Sequence, residues 1–303
     1  MSAYSLPISG KSRIAVAGAT GRVGSALTKS LATEPVDVVA LSRKPDAAGL
    51  PAAVAVVGVD FDQRCSLERA LHGVDRLFIA HGTSPNQVAN EIALIDAAVA
   101  TGVRHIVKLS ALGPPSRLHP IDWHMRIEAH LAAQSVGYTV LRPGPFVDVL
   151  MRAGTEVANG SWGGAAGSGL ANFIDTRDVA DVARVALLDH AGSNSQRAYH
   201  LTGPRAWTMQ EIALELSDLL GRPVGYEERS PDQQKAALLR AGLSDFVASL
   251  LLGLDRLFQE SVLAETTSTV EQLTGHAPRS LPQWLSENIS VFQSRDHQRS
   301  EPT

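Results

Sequence analysis

Several kinds of residue are scarce in this sequence, and each absence excludes a class of protein. Cys65 is the only cysteine, which excludes an internal disulfide and a cysteine-based zinc cluster. Lys and Arg number 27 against 31 Asp and Glu, so no basic excess exists to neutralise nucleic-acid phosphates. A run of about 18 apolar residues is missing, and residues 1–12 lack the basic start and apolar stretch of a secretory signal. We therefore expect a cytoplasmic protein without nucleic-acid or membrane partners.

What remains is a composition that can bury a core. The chain has 303 residues, of which 44% are hydrophobic and 19% charged. At roughly 100–200 residues per domain, this length predicts one large domain or two smaller ones.

The first 143 residues alternate short apolar runs with helical patterns. Strands are predicted at Arg13–Ala17, Val36–Leu41, Val54–Val59, Arg76–Ala80, His105–Leu109 and Tyr138–Leu141. Helices are predicted at Arg22–Ala32, Leu67–Leu71, behind the N-cap Ser84, and at Ile121–Ala133. Largely apolar strands separated by helices indicate a parallel sheet covered on both faces. We expect the strand order 3-2-1-4-5-6, with ligands at the carboxyl ends of the strands.

After residue 144 the pattern changes to loops and helices. Gly160–Gly169 is a predicted loop and a candidate mobile lid, as is Gly113–Pro120, while Tyr199–Leu201 is a candidate extra strand. The fold class is therefore α/β, a doubly wound parallel (Rossmann) sheet with a smaller, mostly helical C-terminal substrate region. The predicted organisation is an N-terminal tail at 1–12, a Rossmann domain at 13–144 to which 171–202 returns, a substrate region at 145–170 and 203–293, and a disordered tail at 294–303.

A glycine-rich turn follows the first predicted strand and opens the first predicted helix. Gly18, Gly21 and Gly24 are spaced three and three. In this context such glycines allow a tight turn, close approach to a pyrophosphate, and packing of the helix on the strand. The pattern predicts dinucleotide binding, and a purely structural turn is the alternative.

The end of the second strand distinguishes the two dinucleotides. An acidic residue there would hold the ribose 2′-hydroxyl of NAD, but this strand ends in Ser42, Arg43 and Lys44. Two cations and a hydroxyl suit a 2′-phosphate, so NADP(H) is predicted over NAD(H). The alternative is that both cations are merely solvated.

Together these motifs resemble the NmrA-like branch of atypical short-chain dehydrogenases, which includes type 2 NAD(P)H:quinone oxidoreductases and NAD(P)H azoreductases. The resemblance extends over nearly the whole chain, through segments such as GATGRVG at Gly18–Gly24, VKLSALG at Val107–Gly113 and FIDTRDVADVA at Phe173–Ala183. It implies a cofactor site formed by Gly18, Thr20, Gly21, Arg22, Val23, Gly24, Arg43, Asp60, Phe61, Ala80, His81, Gly82, Leu109, Ser110, Pro143, Gly144, Pro145 and Phe146. Lys44, beside Arg43, and His124, on the predicted helix Ile121–Ala133, complete the predicted cofactor site.

The catalytic pattern of typical short-chain dehydrogenases is broken here. Those enzymes use a Ser with Tyr-x-x-x-Lys, and none of the four tyrosines is followed by Lys four residues later. The helix that should carry the motif instead has His124 and Glu128 on one face. His124 and Ser110 are therefore the predicted catalytic residues, with Glu128 either orienting His124 or simply solvated. No metal site is predicted.

Three functions remain open at this stage. The first is an NADPH-dependent oxidoreductase that passes a hydride to a quinone-like or conjugated carbonyl acceptor without flavin or metal. The alternatives are a non-catalytic NADP(H)-binding redox sensor and a ketoreductase of aromatic polyketide-like ketones. The expected partner is a small conjugated molecule, and the expected state is a monomer or homodimer. Phe146, Val147, Leu150, Trp162 and Phe173 are candidates for an apolar pocket wall or for plain core.

Overall fold

Parallel strands with helices between them form the centre of the protein. The computed structural model describes residues 11–45, 49–114, 118–189 and 195–293. The predicted tails, apart from residues 11 and 12, and part of Gly113–Pro120 lie outside these described residues. The strands are β1 Arg13–Ala17, β2 Asp37–Ser42, β3 Ala55–Gly58, β4 Arg76–Ile79, β5 His105–Leu109, β6 Gly137–Pro143, β7 Ser161–Gly164, β8 Gln196–Leu201 and β9 Gly225–Glu228.

The helices follow the predicted alternation. They are α1 Arg22–Leu31, α2 Arg64–Leu71, α3 Gln87–Ala100, α4 Ile121–Ala132, α5 Gly154–Ala158, α6 Thr176–Leu188, α7 Met209–Leu220, α8 Pro231–Arg240, α9 Asp245–Gln259, α10 Thr269–Thr274 and α11 Leu281–Glu287. Two 3₁₀ turns, at Val147–Ala153 and Ile289–Phe292, complete the described elements.

The large sheet has seven strands in the order β3-β2-β1-β4-β5-β6-β8. The predicted order of the first six strands is thus confirmed, and the return of Tyr199–Leu201 to the sheet is confirmed as β8. Parallel registers pair Ala17 of β1 with Leu41 of β2 and with Ile79 of β4. Parallel strands end at a common edge, so the turns that follow β1, β2, β3 and β4 lie along one edge of the sheet.

The chain divides into two compact units. The first comprises the described residues of Met1–Lys108, His130–Thr139 and Ala183–Arg197. Its β1 is almost wholly buried, and α1 covers it with an apolar stripe of Val23, Leu27 and Leu31. The predicted domain boundaries do not coincide with this division and stay a prediction.

The second unit comprises the described residues of Leu109–Ala129, Val140–Val182 and Ala198–Thr303. The helices α7 and α8 each begin with a capping box, formed by Thr208 with Glu211 and by Ser230 with Gln233. A small parallel pair, β7 with β9, joins Trp162 to Tyr226. None of α5, α10 and β9 was predicted, because each is too short for a periodic pattern to stand out.

Helix starts were the least accurate predictions. Ser84 is not the N-cap of α3, since that position is occupied by Asn86. The helix α6 begins at Thr176, where Asp175 accepts a hydrogen bond from the backbone of Arg177 at 2.8 Å. Asp178, in the first turn of this helix, is buried and accepts from the backbone nitrogen of Arg279 at 2.8 Å. Desolvation raises the pKa of Asp178.

Candidate functional site

The glycine turn in the first unit has the geometry that the sequence predicts. Gly18 has φ +82°, and a Cβ there would lie 2.2 Å from the Ala80 carbonyl oxygen. A Cβ on Gly24 would lie 2.1 Å from the Gly18 carbonyl oxygen. Gly21 donates its backbone N–H to that same oxygen at 2.9 Å. A tight turn and close helix packing therefore both require glycine here.

The start of α1 is suited to an anion. Its N-cap is Gly21, in an extended conformation, and no side chain among the described residues caps it. No acidic residue occurs in the first turn of the helix. Thr20, Gly21 and Arg22 are exposed, whereas Val23 and Gly24 are buried. The amino terminus of a helix attracts phosphate through its backbone N–H groups and its dipole, so this turn fits a dinucleotide phosphate.

Two cations lie immediately beyond the end of β2. Arg43 and Lys44 are both exposed, and Ser42 Oγ accepts a hydrogen bond from the Lys44 backbone nitrogen at 3.1 Å. This local bond shapes the turn that carries them. Two exposed cations at the end of a strand suit a phosphate group. The preference for NADP(H) over NAD(H) stays a prediction.

The ends of β3 and β4 bring together two aromatic rings. Phe61 and His81 meet edge to face, with their ring centroids 5.9 Å apart. His81 Nδ1 lies 2.7 Å from the Gly82 carbonyl oxygen, and its Nε2 lies 2.8 Å from the Asn90 amide nitrogen. Since a carbonyl only accepts, Nδ1 carries the proton and the ring is held in one orientation.

Asp60 is exposed beside these rings, and its carboxylate accepts from Gln63 Nε2 at 2.7 Å. The predicted cofactor residues from Gly18 to Gly82 all belong to the first unit, at the ends of four adjacent strands.

The remaining predicted residues belong to the second unit. Ser110 follows β5 directly, and its backbone nitrogen donates to the Leu141 carbonyl at 2.7 Å. The segment after β6 comprises Pro143, Gly144, Pro145 and Phe146, and its backbone is hydrogen-bonded to other segments of the second unit. The Gly144 nitrogen donates to the Leu201 carbonyl at 2.8 Å, and the Ile174 nitrogen donates to the Pro145 carbonyl at 3.0 Å. A Cβ on Gly144 would lie 2.6 Å from the Asn172 carbonyl oxygen. Leu109 and Phe146 are half-buried.

A polar network joins Ser110, Glu128 and Arg142 within the second unit. The Ser110 hydroxyl donates to Glu128 Oε1. Arg142 donates from Nε to both carboxylate oxygens at 3.2 Å and from a terminal nitrogen to Oε2 at 2.5 Å. The Glu128 side chain is 15% exposed, and Ser110 is 4% exposed. The interpretation of Glu128 as a carboxylate that is simply solvated is therefore wrong.

His124 lies one turn before Glu128 on α4 and is half-buried. The residue before it, Trp123, is buried between two rings: its centroid is 4.5 Å from that of His119 and 6.1 Å from that of Phe246. The i and i+4 spacing puts His124 and Glu128 on one face of the helix.

Sequence reasoning missed the part played by Arg142. An arginine at the end of the otherwise apolar run YTVL is the signal that could have found it, because a charge in a buried strand needs a partner.

Four of the five apolar residues that are candidates for a pocket wall are buried in the hydrophobic core. Val147, Leu150, Trp162 and Phe173 belong to the buried core of the second unit, so for them the core interpretation holds. Phe146 is half-buried.

The backbone of the candidate lid Gly160–Gly169 is hydrogen-bonded to side chains from outside the segment. Glu156 accepts from the Gly163 nitrogen at 3.0 Å, and Asp255 accepts from the Ala165 nitrogen at 3.3 Å. Tyr226 accepts from the Ala166 nitrogen at 3.4 Å. Burial raises the pKa of Asp255 to about 6 and that of Tyr226 to about 12. The expectation of a mobile lid here is at odds with these bonds.

Neither a metal centre nor a membrane span is found among the described residues. No cluster of His, Cys, Asp or Glu within them has the arrangement of a metal site. None of their helices is both long and apolar enough to cross a bilayer.

Comparison with known proteins gives a consistent result. The NAD(P)H-binding family model matches residues 18–191. The chain is 31% identical to the NAD(P)H azoreductase of Xenophilus azovorans and 32% identical to quinone oxidoreductase 2 of Escherichia coli, in each case over 92% of this chain and 99% of the relative. The crystal structure of the NADPH complex of the E. coli quinone oxidoreductase superposes with a TM-score of 0.83 at 29% identity, covering 91% of this chain and 99% of that one.

Proposed function

The chain belongs to the NAD(P)H-binding family, and from that premise we propose that it is an NADPH-dependent oxidoreductase that reduces quinone-like or other conjugated carbonyl acceptors. The observation that carries the proposal is the glycine turn at the start of α1, where two glycines cannot bear a side chain. The names of the relatives support the reaction class, and the turn supports the cofactor.

The residues of the first unit have distinct proposed roles. The backbone of Gly18–Gly24 binds the diphosphate, and Arg43 and Lys44 bind the 2′-phosphate. Asp60, Phe61 and His81 frame the adenine, and Ala80 and Gly82 run beside the ribose and diphosphate. These assignments rest on the family resemblance and on the common strand edge at which the residues lie.

In the second unit, Leu109, Ser110 and the segment Pro143–Phe146 are proposed to border the nicotinamide, and His124 to hydrogen-bond the ribose or the acceptor oxygen. Bound NADPH would supply a hydride, so that a quinone gains two electrons and one proton and takes its second proton from solvent. Because the reduced quinone oxygen shares its charge with a conjugated ring, no flavin or metal is required. The residues of the chain position the reactants and exclude water.

The test is oxidation of NADPH by a panel of quinones, followed by absorbance with the purified chain and no added flavin. We expect turnover with quinones, and faster turnover with NADPH than with NADH. Calorimetric binding of NADPH without oxidation by any acceptor would refute the proposal and favour the redox sensor. Conversion of an aromatic ketone to a single stereoisomer, with no activity towards quinones, would favour the ketoreductase.

A further inference from the structure

The direction of the hydrogen bond between Ser110 and Glu128 is determined by chemistry. Both oxygens of Glu128 accept from Arg142, whose guanidinium has donors but no acceptor. A carboxylate paired in this way also only accepts. The hydrogen between Ser110 and Glu128 must therefore belong to the serine hydroxyl.

This bond uses the hydroxyl hydrogen, which is the only hydrogen of the Ser110 side chain that can be donated in a hydrogen bond. The remaining lone pairs of Ser110 Oγ can accept a hydrogen bond from a ligand, but the hydroxyl cannot donate to an acceptor carbonyl while it is bonded to Glu128. In typical short-chain dehydrogenases the substrate oxygen is met by hydroxyl donors. Here the Tyr-x-x-x-Lys motif is absent from the sequence, and the serine hydrogen is already committed.

We propose that Glu128, held by Arg142, is a positioning residue that determines acceptor specificity by withdrawing Ser110 from proton donation. The proposal rests on the proposed oxidoreductase function. Hydride addition to a quinone produces a hydroquinone anion, in which the charge is delocalised and from which solvent protonation completes the reaction. Hydride addition to an isolated ketone produces a strongly basic alkoxide, which requires a donor during the transfer. The network therefore favours conjugated acceptors and disfavours isolated ketones.

The variant Glu128→Gln tests this role directly. Arg142 would still donate to the amide oxygen, which leaves the amide nitrogen towards Ser110. Since that nitrogen only donates, Ser110 would become its acceptor and its hydroxyl hydrogen would be released towards the ligand. The Ser110 hydroxyl would thus change from a committed donor into an available one.

We expect the ratio of kcat/KM for an isolated ketone, cyclohexanone, to that for 1,4-naphthoquinone to rise about tenfold or more in Glu128→Gln, because a general acid contributes at least that much. The gain should disappear in the double variant Ser110→Ala/Glu128→Gln. Glu287→Gln is the matched control: it weakens another Arg–Glu pair of the same unit, with Arg177 at 2.7 Å, and should leave the ratio unchanged.

Three results would overturn the inference. The first is an active wild-type enzyme whose ratio stays constant in a folded Glu128→Gln variant, and the second is a gain that survives in the double variant. The third needs no Glu128 variant: a solvent isotope effect on quinone reduction that is present in the wild type and lost in Ser110→Ala would show that Ser110 does donate. An equal isotope effect in both proteins supports the inference. If the wild type reduces no quinone, the proposed function itself fails.

Discussion

Lys108 and Glu91 form an ion pair inside the first unit with both side chains withdrawn from solvent. Lys108 Nζ lies 2.9 Å from Glu91 Oε2, and the two side chains are 0% and 1% exposed. Gln87 Nε2 donates to the other oxygen of Glu91 at 3.0 Å. The pair connects β5 to α3 directly before the segment that carries Leu109 and Ser110.

Loss of one partner of this pair should be costly. We expect Lys108→Met to lower the free energy of unfolding by about 3–5 kcal/mol, because Glu91 would remain buried without its countercharge. The double variant Lys108→Met/Glu91→Leu should recover most of that loss, since no buried charge remains. Urea unfolding monitored by circular dichroism measures both. A double variant as unstable as the single one would contradict this account.

The glycine turn should tolerate no side chain at its third glycine. In Gly24→Ala the new Cβ would lie 2.1 Å from the Gly18 carbonyl oxygen, far inside van der Waals contact, so the turn must open. We expect NADPH affinity to fall about tenfold or more, since displaced backbone N–H groups lose the phosphate. Titration calorimetry measures the affinity, with circular dichroism to confirm folding.

Gly253→Ala is the matched control for this variant. Gly253 is also inside a helix, α9, but there a Cβ would meet, among the described residues, only Leu118, at 4.0 Å. We expect unchanged NADPH affinity in the control. Equal affinities in the two variants would refute a phosphate site at the turn.

The cations after β2 should discriminate between the two coenzymes. We expect Arg43→Ala to weaken NADPH binding about tenfold, the loss expected for one charge-assisted hydrogen bond, and to leave NADH binding nearly unchanged. Lys29→Ala removes another exposed cation of the same unit and is the control. Parallel losses of NADPH and NADH affinity in Arg43→Ala would be incompatible with a 2′-phosphate contact.

Asp255 should make stability depend on pH in a direction opposite to that of most carboxylates. Burial raises its pKa from 3.8 to about 6, so the folded chain binds this proton more tightly than the unfolded chain does. Between about pH 4 and pH 6 the contribution of this group to the free energy of unfolding falls as pH rises, and above pH 6 it stays low. Asp255→Asn should therefore be more stable than the wild type at pH 7.5, by up to about 3 kcal/mol, and nearly equal to it at about pH 4.

Thermal and urea unfolding at these two pH values measure the difference. Asp218→Asn, which alters an exposed carboxylate on α7, is the control and should not show it. The outcome that would contradict this account is a free energy of unfolding of Asp255→Asn that lies below that of the wild type at pH 7.5 and matches it at pH 4. It would show that the charged carboxylate is needed for the hydrogen bond with Ala165.

Most of the sheet could be predicted from the sequence because each of its buried strands is an apolar run bounded by turns. The predicted ranges of β1 and β5 are correct to the residue, and that of β4 is correct to within one residue. The helix starts were less accurate, because Ser84 and Asn86 are both plausible caps and only the backbone hydrogen bonds distinguish them. The sequence predicts a lid at the Gly-rich segment because two of the side chains that bond its backbone, Asp255 and Tyr226, lie 90 and 60 residues away along the chain.

The sequence by itself determined the glycine turn, the cations that follow β2 and the loss of Tyr-x-x-x-Lys, because these depend on residue type and on spacing along a few residues. Only the tertiary structure decided which group holds the Ser110 hydrogen. Ser110 follows β5, Glu128 lies on α4 and Arg142 lies on β6, and neither propensity nor periodicity specifies which side chains of such separate segments meet. The direction of a hydrogen bond depends on the groups at both of its ends, and the fold places the Glu128 carboxylate, which only accepts, beside the Ser110 hydroxyl.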